Sequence, residues 1–363
     1  MRTKDEKIST GTLGIVIASF LMGVGILTVP RTVTTATGGF GGWLSLLATG
    51  LLFIVIGGFA AGYLLKMFPG ENLILFGSRI LTKPLNAVVC FLFLLYFTAA
   101  ASLHCRILSD VMKLYVLDTT PPTVIIGSLL LVSTYVVSHG INTIVRLNIL
   151  FFPLVFGILA LILFLNVRGD FTLEEVRPFF VPDIAVYTKG ITSSLYVFVG
   201  IGLLYFLAPF IKRPEKIPLS VAIGIGVVTF SNIITLFIAV GIFNFAAVQN
   251  IVYPTIELAK DIAIPGAFIE RIEAFYMTVW VLAIFSAVSS THYVVSLGMS
   301  QLFNGKQKLW AIWPLPLFFL IAMAPENIDE YFRWKTVLSY VGTTFLIGVP
   351  VLYILIAKIR KVI

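Results

Sequence analysis

Two glycine pairs at matching places in this chain set the chemistry to look for. Gly23-Val24-Gly25-Ile26-Leu27 lies inside a long apolar run and returns much later as Gly200-Ile201-Gly202-Leu203-Leu204. A proline follows soon after each, Pro30 and Pro209. Where a membrane helix is interrupted, N–H and C=O groups are freed that lipid cannot bond, so a break is tolerated only where it lines a cavity or faces a solute. Glycine lets a solute approach the backbone with no Cβ in the way. A half-helix starting near Gly25 would aim its positive end into that cavity, which suits a carboxylate. Close helix packing through small residues explains either pair taken alone. Their recurrence at matched positions favours a binding-site break, with Gly23, Val24, Gly25, Gly200 and Gly202 facing a small ligand.

A second group of residues carries charge at depth. Arg106, Asp110 and Lys113 stand at i, i+4 and i+7 and share one helix face. Arg31 ends the first apolar run on the same side, and Glu270, Arg271 and Glu273 open the eighth. Two readings fit. One is snorkelling side chains with interfacial ion pairs; the other is an outer gate of Arg31, Arg106, Asp110, Glu270 and Glu273. Tyr96, Ser102, Ser286, Ser289, Ser290 and Thr291 add a polar strip to the third and eighth runs, which interhelical hydrogen bonding also explains. His104 has no Cys or carboxylate cluster at metal spacing, and His139 and His292 read as hydrogen-bonded structural residues. No nucleophile–base pair, phosphate-binding glycine loop or metal cluster is visible, so neither an enzyme, an ATP-driven pump nor a cofactor is expected.

The elements that must position these residues follow from composition. Hydrophobic residues make up 59% of the 363 and charged residues 12%, with a mean hydropathy of +1.03. A water-soluble chain of this length needs about a quarter charged residues. An all-α integral membrane protein with ten transmembrane helices is expected. The spans fall near 9–34, 41–67, 84–115, 120–138, 140–165, 189–210, 217–246, 268–298, 308–325 and 334–357. Residues 1–363 then form a single membrane domain. Five spans separate the two glycine pairs, so helices 1 and 6, both broken, cross in opposite directions. That is an inverted 5+5 repeat, its halves at about 9–165 and 189–357.

Residues 253–257, Tyr-Pro-Thr-Ile-Glu, read as the start of a short surface helix with proline in its first turn. The net charge of +8 is a topology signal and implies no nucleic acid: 14 Lys and Arg fall in alternate loops, against six (Arg168, Arg177, Lys189, Lys260, Arg333, Lys335) in the others. The positive-inside rule puts both termini in the cytoplasm. Cys90 and Cys105 read as small core residues.

Three motifs together resemble a known family. Gly23-Val24-Gly25-Ile26-Leu27-Thr28-Val29-Pro30-Arg31, Tyr253-Pro254-Thr255-Ile256 and Phe268-Ile269-Glu270-Arg271-Ile272-Glu273 are similar to the B subunits of spore germinant receptors, in the amino acid–polyamine–organocation superfamily. The resemblance implies a LeuT-type fold in a bacterial spore's inner membrane, beside an A subunit and a lipoprotein C subunit. It implies a midplane site for a nutrient, an amino acid or sugar, that triggers germination. Carried over by motif, the ligand-facing positions are Gly23, Val24 and Gly25 with Gly200, Gly202 and Leu203; looser alignment adds Ala100 and Ser286. Relatives carry a glutamate near the position of Gly202, and its absence leaves this cavity less polar. Two further uses of such a fold stay open: a proton- or sodium-coupled amino acid transporter, and a ligand-gated ion or water channel.

Overall fold

Apolar runs of this length become helices because each closes its own backbone hydrogen bonds where lipid offers none. The computed structural model describes residues 7–181, 183–262 and 272–361. Eight long apolar helices, counting one sharply bent pair as a single span, and two shorter ones make up the bundle among these residues. In chain order they are α1 (Thr10–Thr37), α2 (Phe40–Met67), α3 (Lys83–Tyr115), α4 (Pro122–Ser138) and α5 (Ile141–Arg168). The second five are α6 (Ile184–Phe210), α7 (Pro214–Asn250), α8 (Ile272–Leu302), α9 (Gln307–Met323) and α10 (Ile328–Ile359). The expected spans therefore match to within a few residues, apart from the first residues of the eighth, which lie outside the described ones.

Local signals explain the boundaries. Ser9 caps α1 by accepting from the Thr12 N–H, and Gly38 at φ 72° ends it in the left-handed conformation that glycine adopts freely. Asn327 caps α10 by accepting from the Glu330 N–H, with Asp329 and Glu330 in its positive first turn. Prolines open α3 and α4, where a missing N–H costs no hydrogen bond.

The two glycine-bearing helices depart from regularity in different ways. α1 stays helical throughout but bends by 59° between Thr10–Gly23 and Gly25–Thr37. α6 changes character instead: an α-helix to Phe198, a 3-10 stretch over Val199–Leu203, one α turn, and a second 3-10 turn at Ala208–Phe210. α1 packs on α7, α6 and α8, and α3 packs on α8, so both irregular segments sit inside the bundle.

Two expectations change. The Pro254–Lys260 helix is no surface element: Pro254, Thr255, Ile256, Leu258 and Ala259 are all buried, because it is tucked against α1 and α8. Lys335, counted above as a loop charge, lies inside α10 and is 5% exposed. α10 starts at Ile328, well over a turn before its apolar run, because Asn327 and two acids build a polar first turn.

Candidate functional site

Just past the bend in α1, one backbone carbonyl has lost its helical partner. Pro30 has no N–H, so the carbonyl of Ile26 four residues earlier loses its helical partner. The Thr255 hydroxyl supplies one, donating to that carbonyl at 2.6 Å from the buried Pro254–Lys260 helix. One turn earlier, the Trp280 indole N–H of α8 donates to the Gly23 carbonyl at 2.7 Å. The backbone acceptors at the bend are thus held by side chains 229 and 257 residues away. Helical periodicity carries no trace of either bond. Pro30 is the one sequence signal, since it marks an orphaned carbonyl without naming the donor.

Beside the bend lies a small chamber lined by Phe20, Gly25, Ala100, His104, Tyr196 and Gly200, among others. Its cavity volume is about 20 Å³, which is room for one water. The two helices close it reciprocally. The Phe20 ring of α1 points its Cε1 edge at Gly200, where a Cβ would collide with it. Val197 of α6 covers Gly25, its Cγ1 3.1 Å from where a Cβ would stand. Each glycine therefore receives a side chain from the opposite helix.

Of the expected ligand-facing residues, the structure brings Gly25, Ala100 and Gly200 to this chamber. The others are placed elsewhere. Gly23 faces α8, where a Cβ would meet Ala287 at 3.2 Å, and Gly202 faces Phe93 of α3 at 3.0 Å. Leu203 lines a separate apolar pocket with Ile8, Leu13 and Leu207. Ser286 is buried on α8, its hydroxyl without a hydrogen-bond partner among the described residues. The side chain of Val24 and the whole of Glu270 lie outside the described residues.

The charged group nearer the Arg31 end is arranged differently from a latch between helices. Arg106 pairs with Asp110 on its own helix at 3.0 Å, and its Nη2 donates to the Glu326 carbonyl at 3.3 Å. Arg31 donates from Nε to the Gln249 carbonyl at 3.2 Å, and Glu273 stands half-buried in the first turn of α8. The partners are carbonyls and a near neighbour in sequence because a buried guanidinium has five donors to satisfy. Between the spans, burial first and the Asp110 charge second push the Tyr253 phenol above its ordinary range, with Arg31 and Arg106 pulling the other way. Tyr253 stays a neutral hydroxyl. Sequence reasoning missed Phe20, Tyr196, Thr255, Trp280 and Lys335, of which Lys335 alone carried a visible signal, a charge at the edge of an apolar run.

Comparison with known proteins places this geometry. The sequence profile of the family described as "Spore germination protein" matches residues 7–331. Spore germination protein YndE of Bacillus subtilis (strain 168) is 29% identical over 99% of both chains. Spore germination protein GerLB of Bacillus cereus is 28% identical over 98% of this chain and 96% of its own. Among solved structures, MhsT in complex with L-phenylalanine is similar at a TM-score of 0.69 and 17% identity, covering 94% of this chain and 89% of that one. Mhp1, a nucleobase-cation-symport-1 family transporter in a closed conformation with bromovinylhydantoin bound, is similar at 0.67 and 11% identity, covering 94% and 77%. Both likenesses support a LeuT-type fold for this chain, and at such identity they speak to fold alone. The matched profile and the full-length relatives make the assignment: the chain is a multi-pass bacterial membrane protein and belongs to the spore germination protein family.

Proposed function

We propose that this chain is the nutrient-sensing membrane subunit of a spore germinant receptor. A small nutrient, an amino acid or a sugar, binds in the chamber between α1 and α6. The subunit works in the spore inner membrane beside an A subunit and a lipoprotein C subunit. The observation that carries this reading is the reciprocal closure of Phe20 on Gly200 and Val197 on Gly25 over about 20 Å³. That volume holds no amino acid, so a ligand enters by taking the place of the Phe20 ring. The two helices then stand apart by the width of the ligand. Such a ligand binds the separated arrangement and not the closed one, which is the differential affinity a signal requires. MhsT is known with L-phenylalanine bound, a precedent for an amino acid in this architecture.

A second reading, an amino acid transporter coupled to protons or sodium, is favoured by the likeness to Mhp1, which is a transporter. One experiment separates the two. The purified chain is placed in proteoliposomes and offered a panel of labelled amino acids and sugars, with and without ion gradients. Binding without flux, lost in Gly25→Leu, is expected. Concentrative, gradient-driven uptake decides for the transporter. Binding of undiminished strength in Gly25→Leu defeats the placement of the site.

A further inference from the structure

A larger space than the chamber opens on the Arg31 end of the bundle. It is a vestibule of about 460 Å³ between α1, α6 and α10. Two cations line it. The Lys335 ammonium is buried and donates to the Thr28 hydroxyl at 3.0 Å. It stands 5.5 Å from the Tyr196 ring centroid and 5.4 Å from that of Phe332. Among the described residues no carboxylate forms an ion pair with it. Arg31 brings the second cation, its guanidinium 5.0 Å over Phe332 and its Nη1 buried without a hydrogen-bond partner among the described residues.

Ring faces and one hydroxyl do not replace the hydration that a buried ammonium gives up. Buried charges are held by opposite charges as a rule, and ionisable groups at membrane depth mark a solute's path. The single acid among the vestibule's lining residues, Asp329, lies exposed in the first turn of α10, where the helix N-terminus already favours its charge. The hydroxyls of Thr32, Thr192 and Ser193 in the wall already donate to carbonyls of their own helices, so the two cations are what the wall offers an anion. Two under-compensated cations and room for a small molecule make a site complementary to an anion.

We propose that this vestibule is a binding station for a small carboxylate-bearing solute, held between Arg31 and Lys335, separate from the midplane chamber. Arg31, whose side chain lines the vestibule, offers its guanidinium, and Lys335 offers the donors that Thr28 leaves free. Tyr196 lines both spaces, so the ring facing the Lys335 ammonium is also the partition between station and chamber. The station does not require the nutrient reading of the chamber, and it fails or stands by itself.

The test uses the purified full chain and propionate as probe, with propionamide as its neutral counterpart and sodium chloride to match ionic strength. Thermal midpoints are followed across a concentration series of each. Propionate should raise the midpoint saturably, while propionamide and chloride should not. In Lys335→Met and in Arg31→Gln, each measured against its own ligand-free midpoint, the half-saturating concentration should rise about tenfold, the loss of one charge-assisted contact of about 1.4 kcal/mol. Gly25→Leu, which alters the chamber and not the vestibule, should respond like the parent. Equal responses to propionate and propionamide, or to propionate and chloride, overturn the proposal. So does an unchanged half-saturation in both cation variants. A response abolished by Gly25→Leu assigns the carboxylate to the chamber and overturns it too. Loss of Lys335→Met to misfolding leaves the test intact, because Arg31→Gln alters a partly exposed side chain and gives the same readout.

Discussion

Gly200 and Phe20 show what one missing methyl does. The Phe20 ring occupies the place where any side chain at position 200 would begin, so the two residues form one packing unit. Gly200→Ala should force the ring aside and destabilise the closed state by about 1–3 kcal/mol, the usual cost of overpacking a filled core. Phe20→Ala alone should cost about 3–5 kcal/mol as a cavity. In the double variant the new methyl has nothing to strike, so the effects should be non-additive by at least about 1 kcal/mol. Midpoints of thermal unfolding for the four proteins measure this, and simple additivity would show that the ring does not rest on residue 200. The same pair marks how far the sequence could be read. The glycines were legible because their pattern repeats; the ring covering one of them was not, since nothing local at Phe20 distinguishes it from any other apolar residue on α1. Gly25 differs in degree, as Val197 leaves room for a Cβ at close but real contact distances.

At the scale of helices, the ten spans were legible because a 30 Å hydrocarbon layer imposes a length and a composition on each. What joins them was not, and the clearest case is at the Ile8 end of the bundle. There the residues before α1 pair in parallel with those after α6: Ile8 donates to the Phe210 carbonyl at 2.6 Å, and Lys212 donates to the Ile8 carbonyl at 3.0 Å. Ser220 of α7 adds a hydrogen bond to the Thr10 carbonyl at 2.8 Å. This strap ties the starts of α1 and α7 to the end of α6 and covers the apolar pocket lined by Ile8, Leu13 and Leu204. Ile8→Pro removes the donor and should release it. In a chain with Cys90 and Cys105 replaced by serine, a cysteine introduced as Leu204→Cys should then react with a maleimide several times faster than with Ile8 intact. An unchanged rate would mean that side-chain packing, and not the backbone pairing, closes this end. Pro30 and Thr255 illustrate the same limit: proline announces a free carbonyl, while the hydroxyl that takes it comes from a short helix whose sequence reads as surface.

Taken whole, the molecule has one end open and one end tied. The 460 Å³ vestibule lies at the end bearing Arg31, and the strap closes the end bearing Ile8. Which end faces the cytoplasm is a question of charge. Lys66 and Lys358, in the last turns of α2 and α10, and Lys212 and Lys306, in loops, lie at the strapped end, and positive residues near span ends are held on the cytoplasmic side. The Lys335 charge, once it is known to be buried in α10, no longer counts among the loops of the other face, which sharpens the asymmetry. Thr35, exposed in the vestibule wall, and Lys306, exposed in the turn before α9, should therefore lie on opposite sides. Cysteines introduced as Thr35→Cys and Lys306→Cys in the cysteine-free chain test this in sealed vesicles of known sidedness. A membrane-impermeant maleimide added outside right-side-out vesicles should label position 35 and spare position 306 until the membrane is permeabilised. The reverse pattern would turn the molecule over, placing the vestibule and its two cations on the cytoplasmic face, where a solute arriving from outside the cell would meet the strap first.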